Sequence, residues 1–227
     1  MPQPTSWTEV TEQIGRTAPE SAAGYARIRA VIDSDGAISA AHKALMVAVG
    51  AAVKHDVDLA RRELARGREV GLTDAEITTG ATALLISRGE SACGRLLQAA
   101  GPLTVDDPPR PSCEVSGVEY FLAYNGSDAL PPRLALLAER SREVFEGYFR
   151  MHHAALTADP QAAKLAELVL CSLNAAELEG PFVGIHAVTA RRAGATDEEL
   201  IEAIMCAIPV AGVACWAAAS GALFPDV

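Results

Sequence analysis

The sequence predicts an all-α protein built from two tandem helical-bundle repeats, and three observations predict it. Half of the residues are hydrophobic while only 5% are aromatic. That balance favours closely packed helices, because alanine is the strongest helix former and aromatic side chains favour strands. The stretch "GLTDAEI" from Gly71 returns as "GATDEEL" from Gly194, 123 positions later. Both copies contain Thr-x-x-Glu, in which the threonine oxygen takes an orphan N–H of a starting helix and the glutamate reaches back.

The elements follow in chain order. Residues 1–24 form an N-terminal segment, and residues 25–100 form the first repeat. That repeat holds the apolar run "ALMVAVGAAV" (Ala44 to Val53), the charged helix "DLARRELARGREV", a stop at Gly71, and the helix capped by Thr73. A small-residue helix then starts near Gly89. Residues 101–130 are a linker, because "GPLTVDDPPRPSCEVSG" is dense in proline and glycine. "VEYFLAY" (Val118 to Tyr124) has the aromatic content of a short extended piece and is left unassigned. Residues 131–227 form the second repeat. It opens on a long helix with Pro131 or Pro132 in its first turn. "LAELVLCSLNAA", "FVGIHAVTARRA", the Thr196 cap and a small-residue helix near Gly212 follow in the order of the first half. Each half reads as about five helices.

Composition excludes some functions. A net charge of −10 opposes nucleic-acid binding, which needs a basic face to neutralise phosphates. Ala203 to Pro225 carries no charge and is long enough to span a bilayer. It is alanine-rich, broken by Pro209, Gly212 and Gly221, and lacks flanking basic residues, so it reads as buried small-residue helices. The N-terminus has neither a basic nor an apolar signal region. Cys93, Cys113, Cys171, Cys206 and Cys215 form no Cys-x-x-Cys pair. They read as reduced core thiols, and the expected location is cytoplasmic.

The second half carries a resemblance. An apolar helix containing Glu167 precedes a helix with His186, eight residues before the Gly194 turn. This order resembles the carboxymuconolactone decarboxylase / alkylhydroperoxidase D-like superfamily, well over residues 140–223 and through the repeat alone over 25–100. The resemblance implies an all-α fold with one bundle per copy, the pair forming one pseudo-twofold unit. It also implies a homo-oligomer, a trimer being favoured because three fused pairs make a pseudo-hexamer. Peroxidase members carry Cys-x-x-Cys-x-x-x-His on the histidine helix. Here Glu179 and Phe182 stand where the thiols would be, which opposes a hydroperoxide reductase. Decarboxylase members also lack those cysteines but tend to carry arginine and glutamate at these two positions, so their particular substrate is not implied. At the same 123-residue offset, Glu167 maps to Ala44 and His186 to Glu63. The first copy is therefore degenerate, and the second is the candidate active copy.

The chemistry follows from the pair. A carboxylate on one imidazole nitrogen fixes the tautomer and leaves the other to move a proton. His186 is the expected general acid/base and Glu167 its orienting partner. The reading is a cofactor-independent lyase or isomerase acting on a small organic acid or activated carbonyl compound. Glu179 and Phe182 share a helical face with His186. Phe182 would be an apolar wall, and Glu179 either a second carboxylate or a helix-start charge. His152 and His153 are candidates for the same cavity, or else a solvated pair near a helix end, and Arg150 is a candidate carboxylate anchor. Arg191 and Arg192 fit the helix dipole better. Adjacent histidines diverge by about 100° on a helix, and no His-x-x-x-His or Glu-x-x-His spacing occurs, so no metal is expected. A non-catalytic scaffold or ligand-binding oligomer is the other reading.

Overall fold

The computed structural model describes residues 7–104, 115–157 and 159–224. Its elements are all helices: α1 (Trp7–Thr17), α2 (Pro19–Ile32), α3 (Ala40–Val53), α4 (Val57–Glu69), α5 (Asp74–Ala100), α6 (Gly117–Asn125), α7 (Pro132–Arg140), α8 (Arg142–Thr157), α9 (Pro160–Ala176), α10 (Gly180–Arg192), α11 (Asp197–Met205), α12 (Ile208–Ala211) and α13 (Ala214–Leu223). α3 and α9 are mainly apolar and nearly wholly buried, as helices at the centre of a bundle must be, with Lys43 and Glu167 among the few charges they bury. They pack on each other and carry α4, α5 and α10, α11 around them.

Local chemistry sets the helix ends. Ser39 and Asp159 cap α3 and α9 by accepting first-turn backbone N–H groups. Both Thr-x-x-Glu turns form complete capping boxes, Thr73 with Glu76 at α5 and Thr196 with Glu199 at α11. Gly89 (φ 75°, ψ −173°) breaks α5 from within, and Gly212 (φ 68°, ψ −177°) separates α12 from α13. This backbone region is open essentially to glycine alone. Those two glycines lie 123 positions apart, as do His55 and Leu178, the two non-glycine residues with positive φ among the described residues, and Gly71 and Gly194. The bounds of α4 recur at the same interval in α10.

Several expectations are corrected. "VEYFLAY" is helical: it lies in α6, which Ser116 and Glu119 start with a third capping box. The stretch read as a linker therefore ends in a helix, while residues 105–114 lie outside the described ones. The long helix expected from Pro131 is two helices, because Ser141 leaves helical geometry at φ −153°. α1 and the start of α2 occupy the N-terminal segment, so the boundary at residue 25 falls inside α2. The uncharged stretch from Ala203 is split among three short helices, and no helix among the described residues is long and apolar enough to cross a membrane.

One core runs through both halves. A second, aromatic cluster of Tyr120, Phe121, Leu134, Phe145 and Phe149 ties α6, α7 and α8 together.

Candidate active site

The site forms where α9 and α10 lie side by side under α6. Glu167 faces inward from α9 with 2% of its surface exposed. A bare carboxylate there would be costly, and its two oxygens are divided between two donors. Oε2 pairs with His186 Nδ1 at 2.9 Å, and Oε1 accepts from the Tyr124 hydroxyl at 2.8 Å. The His186 side chain keeps 14% exposure, and Nε2 has no hydrogen-bond partner among the described residues. Thr189, one turn after His186, donates to the His186 carbonyl at 3.0 Å and lies 3.3 Å from the Tyr124 oxygen. Burial, with the Glu167 charge second, pushes the Tyr124 phenol far up. Tyr124 therefore stays protonated and acts as a donor.

His152 sits next to this group on α8, 4% exposed. Its Nδ1 lies 2.7 Å from the Tyr120 hydroxyl, and Tyr124 meets the imidazole edge-on at 4.6 Å. Burial, followed by the positive potential of His186 and His153, pulls its pKa down to about 3, so it is neutral at pH 7. This corrects the reading of His152 and His153 as a solvated pair. His153 is half-buried and packs on Tyr120 and Phe149.

The other expected residues lie apart. Arg150 is exposed on α8 and makes no ion pair among the described residues. Phe182 is 43% exposed, so within one chain it walls nothing off. Glu179 is the N-cap residue of α10, half-buried, and its side chain makes no cap hydrogen bond. Arg191 pairs with Asp197, and Arg192 donates to the Tyr124 carbonyl at 2.7 Å, tying α10 to the end of α6. Among the described residues no cluster of three His, Cys, Asp or Glu is arranged to hold a metal. Cys171 lies on α9 one turn after Glu167, where burial and then the Glu167 charge hold its thiol well above the ordinary range, the wrong direction for a thiolate nucleophile.

Tyr124 and Tyr120 were missed in the sequence because α6 was not recognised. The signal was present in "SGVE", the same capping signature used elsewhere in the chain.

A cavity of about 320 Å³ opens beside the pair. Tyr124, Glu167 and Thr189 line it, with Thr157, Asp159 and Arg192 toward the surface. It reaches the carboxylate, and the imidazole is not part of its wall.

The corresponding positions of the first half hold different chemistry. Ala44 stands 123 residues before Glu167, Glu63 before His186, Arg29 before His152 and Arg66 before Thr189. Glu63 accepts from Arg29 at 2.7 Å and from Arg66 at 2.8 Å, and Asp33 closes the network on Arg29 at 2.7 Å. Four charges pair with one another, leaving the buried Arg66 Nη1 without a hydrogen-bond partner among the described residues, where the second half keeps an imidazole with an unspent nitrogen.

No family model matches the chain, and no curated protein matches it. Among solved structures, it is similar to the crystal structure of a "putative gamma-carboxymuconolactone decarboxylase subunit" from Burkholderia xenovorans LB400. Identity is 20%, the TM-score is 0.58, and the match covers 91% of this chain and 86% of that one. At that identity the likeness shows a shared fold.

Proposed function

We propose that the chain is a carboxymuconolactone decarboxylase-like enzyme, a cofactor-independent lyase or isomerase acting on a small organic acid or activated carbonyl compound. The observation that carries the reading is the Glu167–His186 hydrogen bond of 2.9 Å with Tyr124 on the second carboxylate oxygen. With Nδ1–H donated to Glu167, the neutral imidazole presents the Nε2 lone pair as a base. In isomerisation, Nε2 takes a proton from the carbon beside a carbonyl, and the C–H electron pair moves onto the carbonyl oxygen. The imidazolium, held by the Glu167 charge, then returns the proton to another carbon. In decarboxylation the bond to carbon dioxide breaks into the conjugated carbonyl, and an initially protonated His186 delivers its proton to the carbanion. The substrate's own carbonyl delocalises the charge in either case.

The same proposal treats the halves as two copies of one unit, the second active and the first a scaffold. The recurrence of helix bounds and positive-φ positions at 123 residues supports it. It extends to a trimer of chains, tested by light scattering for three times the 23.7 kDa chain mass.

The test of the chemistry is deuterium exchange. The protein in D₂O is given a panel of small keto acids and unsaturated lactones, and loss of C–H signal or of the carboxyl group is followed by NMR. Activity should fall by about 10²–10⁴ in His186→Ala and in Glu167→Gln. Turnover that survives His186→Ala in a folded variant would remove the mechanism. A complete lack of turnover in the wild type, with His186→Ala as stable as the parent, would favour the scaffold reading.

A further inference from the structure

Once Nε2 of His186 has taken a proton, the proton on Nδ1 has two places to sit. On Nδ1 it leaves an imidazolium facing a carboxylate. On Glu167 Oε2 it leaves a neutral carboxyl facing a neutral imidazole whose one hydrogen is on Nε2. The two arrangements differ in chemistry. An imidazolium is an effective acid at Nε2, whereas a neutral imidazole holds that proton too firmly to return it to carbon. Burial opposes the charged arrangement, because two ions lose more hydration than a neutral pair does. For a carboxylate as deeply buried as Glu167, the hydrogen bonds it accepts decide the balance.

Besides His186, one donor among the described residues reaches that carboxylate. The Tyr124 hydroxyl gives its hydrogen to Oε1 at 2.8 Å rather than to the Thr189 oxygen at 3.3 Å. The other titratable groups nearby do not replace it. His152 spends Nδ1 on the Tyr120 hydroxyl, and Arg191 is committed to Asp197 and the Leu223 carbonyl. Burial keeps the Tyr148 phenol and the Cys171 thiol protonated. Tyr124 is itself held from several sides. Its ring meets His152 edge-on at 4.6 Å and stacks on Tyr120 at 6.0 Å. Its carbonyl accepts from Arg192 Nη1 at 2.7 Å. Gly126 (φ 61°) ends α6 against the same guanidinium, where a Cβ would fall 2.7 Å from Arg192 Nη2. Any side chain there would push away the group that anchors Tyr124.

We propose that Tyr124 is a positioning residue that keeps the Glu167 carboxylate ionised while His186 carries the transferred proton, so that both ring nitrogens hold hydrogen and Nε2 stays an acid. Its consequence for turnover rests on the acid–base reading of the pair, whereas the location of the proton is a property of the protein without substrate. A hydrogen bond to an ionised acceptor favours the ionised arrangement about tenfold or more.

The experiment follows the ring nitrogens of His186 by ¹⁵N NMR in the full chain as pH is lowered from 8 to 5, the signals being assigned by their loss in His186→Gln. In the parent, Nδ1 should keep the shift of a nitrogen bearing hydrogen while Nε2 gains one. In Tyr124→Phe, Nδ1 should move toward the shift of a bare nitrogen over the same titration. Thr189→Val leaves the Tyr124–Glu167 bond in place and should behave as the parent does. Should Tyr124→Phe not fold, 4-aminophenylalanine at position 124 keeps the shape with a weaker donor and should move Nδ1 part of the way. Where the substrate panel gives turnover, Tyr124→Phe should lower kcat at least about tenfold with KM little changed. A bare Nδ1 in the protonated parent, or a parent-like Nδ1 in both position-124 variants, would overturn the proposal. Absence of turnover with the NMR difference intact would remove the reaction and leave the role of Tyr124 standing.

Discussion

Replacing His152 with asparagine should make the protein less sensitive to acid. The buried imidazole has its pKa pulled down to about 3, while in the unfolded chain it returns to about 6.5. A depressed folded pKa contributes stability that is complete above the unfolded value and is lost as pH falls toward the folded one. At pH 7 the unfolded chain carries little extra proton at this site. At pH 5 it carries nearly one, and the folded chain almost none. The slope of about 1.4 kcal/mol per pH unit then gives a loss of about 2 kcal/mol between pH 7 and pH 5. In a chain of this size that is roughly 4–8 °C in Tm. Asparagine keeps a hydrogen-bonding atom where Nδ1 meets the Tyr120 hydroxyl but does not titrate. Any constant cost of the substitution cancels when each protein is compared with itself. Urea unfolding at the two pH values should show the wild type losing about 2 kcal/mol more than His152→Asn. Parallel losses would mean that His152 protonates in the folded state, and the account of a sealed imidazole would be wrong.

Four further variants have expected outcomes. Tyr124→Phe leaves a buried carboxylate oxygen without its donor and should cost about 1–3 kcal/mol at pH 7, read by urea unfolding. Because the raised phenol pKa stabilises the fold only below the unfolded value near 10, this variant should also lose less stability than the parent as pH rises past 10. Glu63→Ala leaves Arg29 and Arg66 sharing Asp33, at 2.7 and 3.4 Å, as their remaining counter-charge and should cost about 1–3 kcal/mol; a cost below about 1 kcal/mol would deny the network a structural role. Gly89→Ala should cost about 1–3 kcal/mol because of its backbone geometry. Gly94→Ala, exposed and with nothing within 4 Å of the new methyl, should instead stabilise by about 0.5–1 kcal/mol.

What could be read from the sequence was local. The Thr73 and Thr196 caps are written in four residues each and form as read. The all-α class followed from alanine content, and the Glu167–His186 approach from the family resemblance carried by the order of glutamate, histidine and turn. What could not be read was tertiary. Aromatic residues in "VEYFLAY" carry a strand preference that packing against α8 overrides, and Tyr124 reaches Glu167 across 43 positions of chain. His152 and His153 look alike in sequence. Only the rotation of about 100° between neighbouring helical residues turns one into the aromatic cluster and leaves the other half-buried. The turn at Ser141 breaks an otherwise continuous helical pattern without proline or glycine to announce it.

One contact has a wider consequence. Lys54 and Glu177 follow α3 and α9 at corresponding places, and they meet each other at 2.7 Å. In an assembly of two separate identical chains, a residue at such a spot would meet its own duplicate, and lysine against lysine or glutamate against glutamate repels. On the proposed reading of the halves as two copies of one unit, joining them in one polypeptide lifts that restriction, so each partner can acquire the charge that suits the other. The same freedom lets one copy keep an imidazole where the other closes an ion network. On that proposal, carrying both halves on one chain allows specialisation that a dimer of identical subunits is denied.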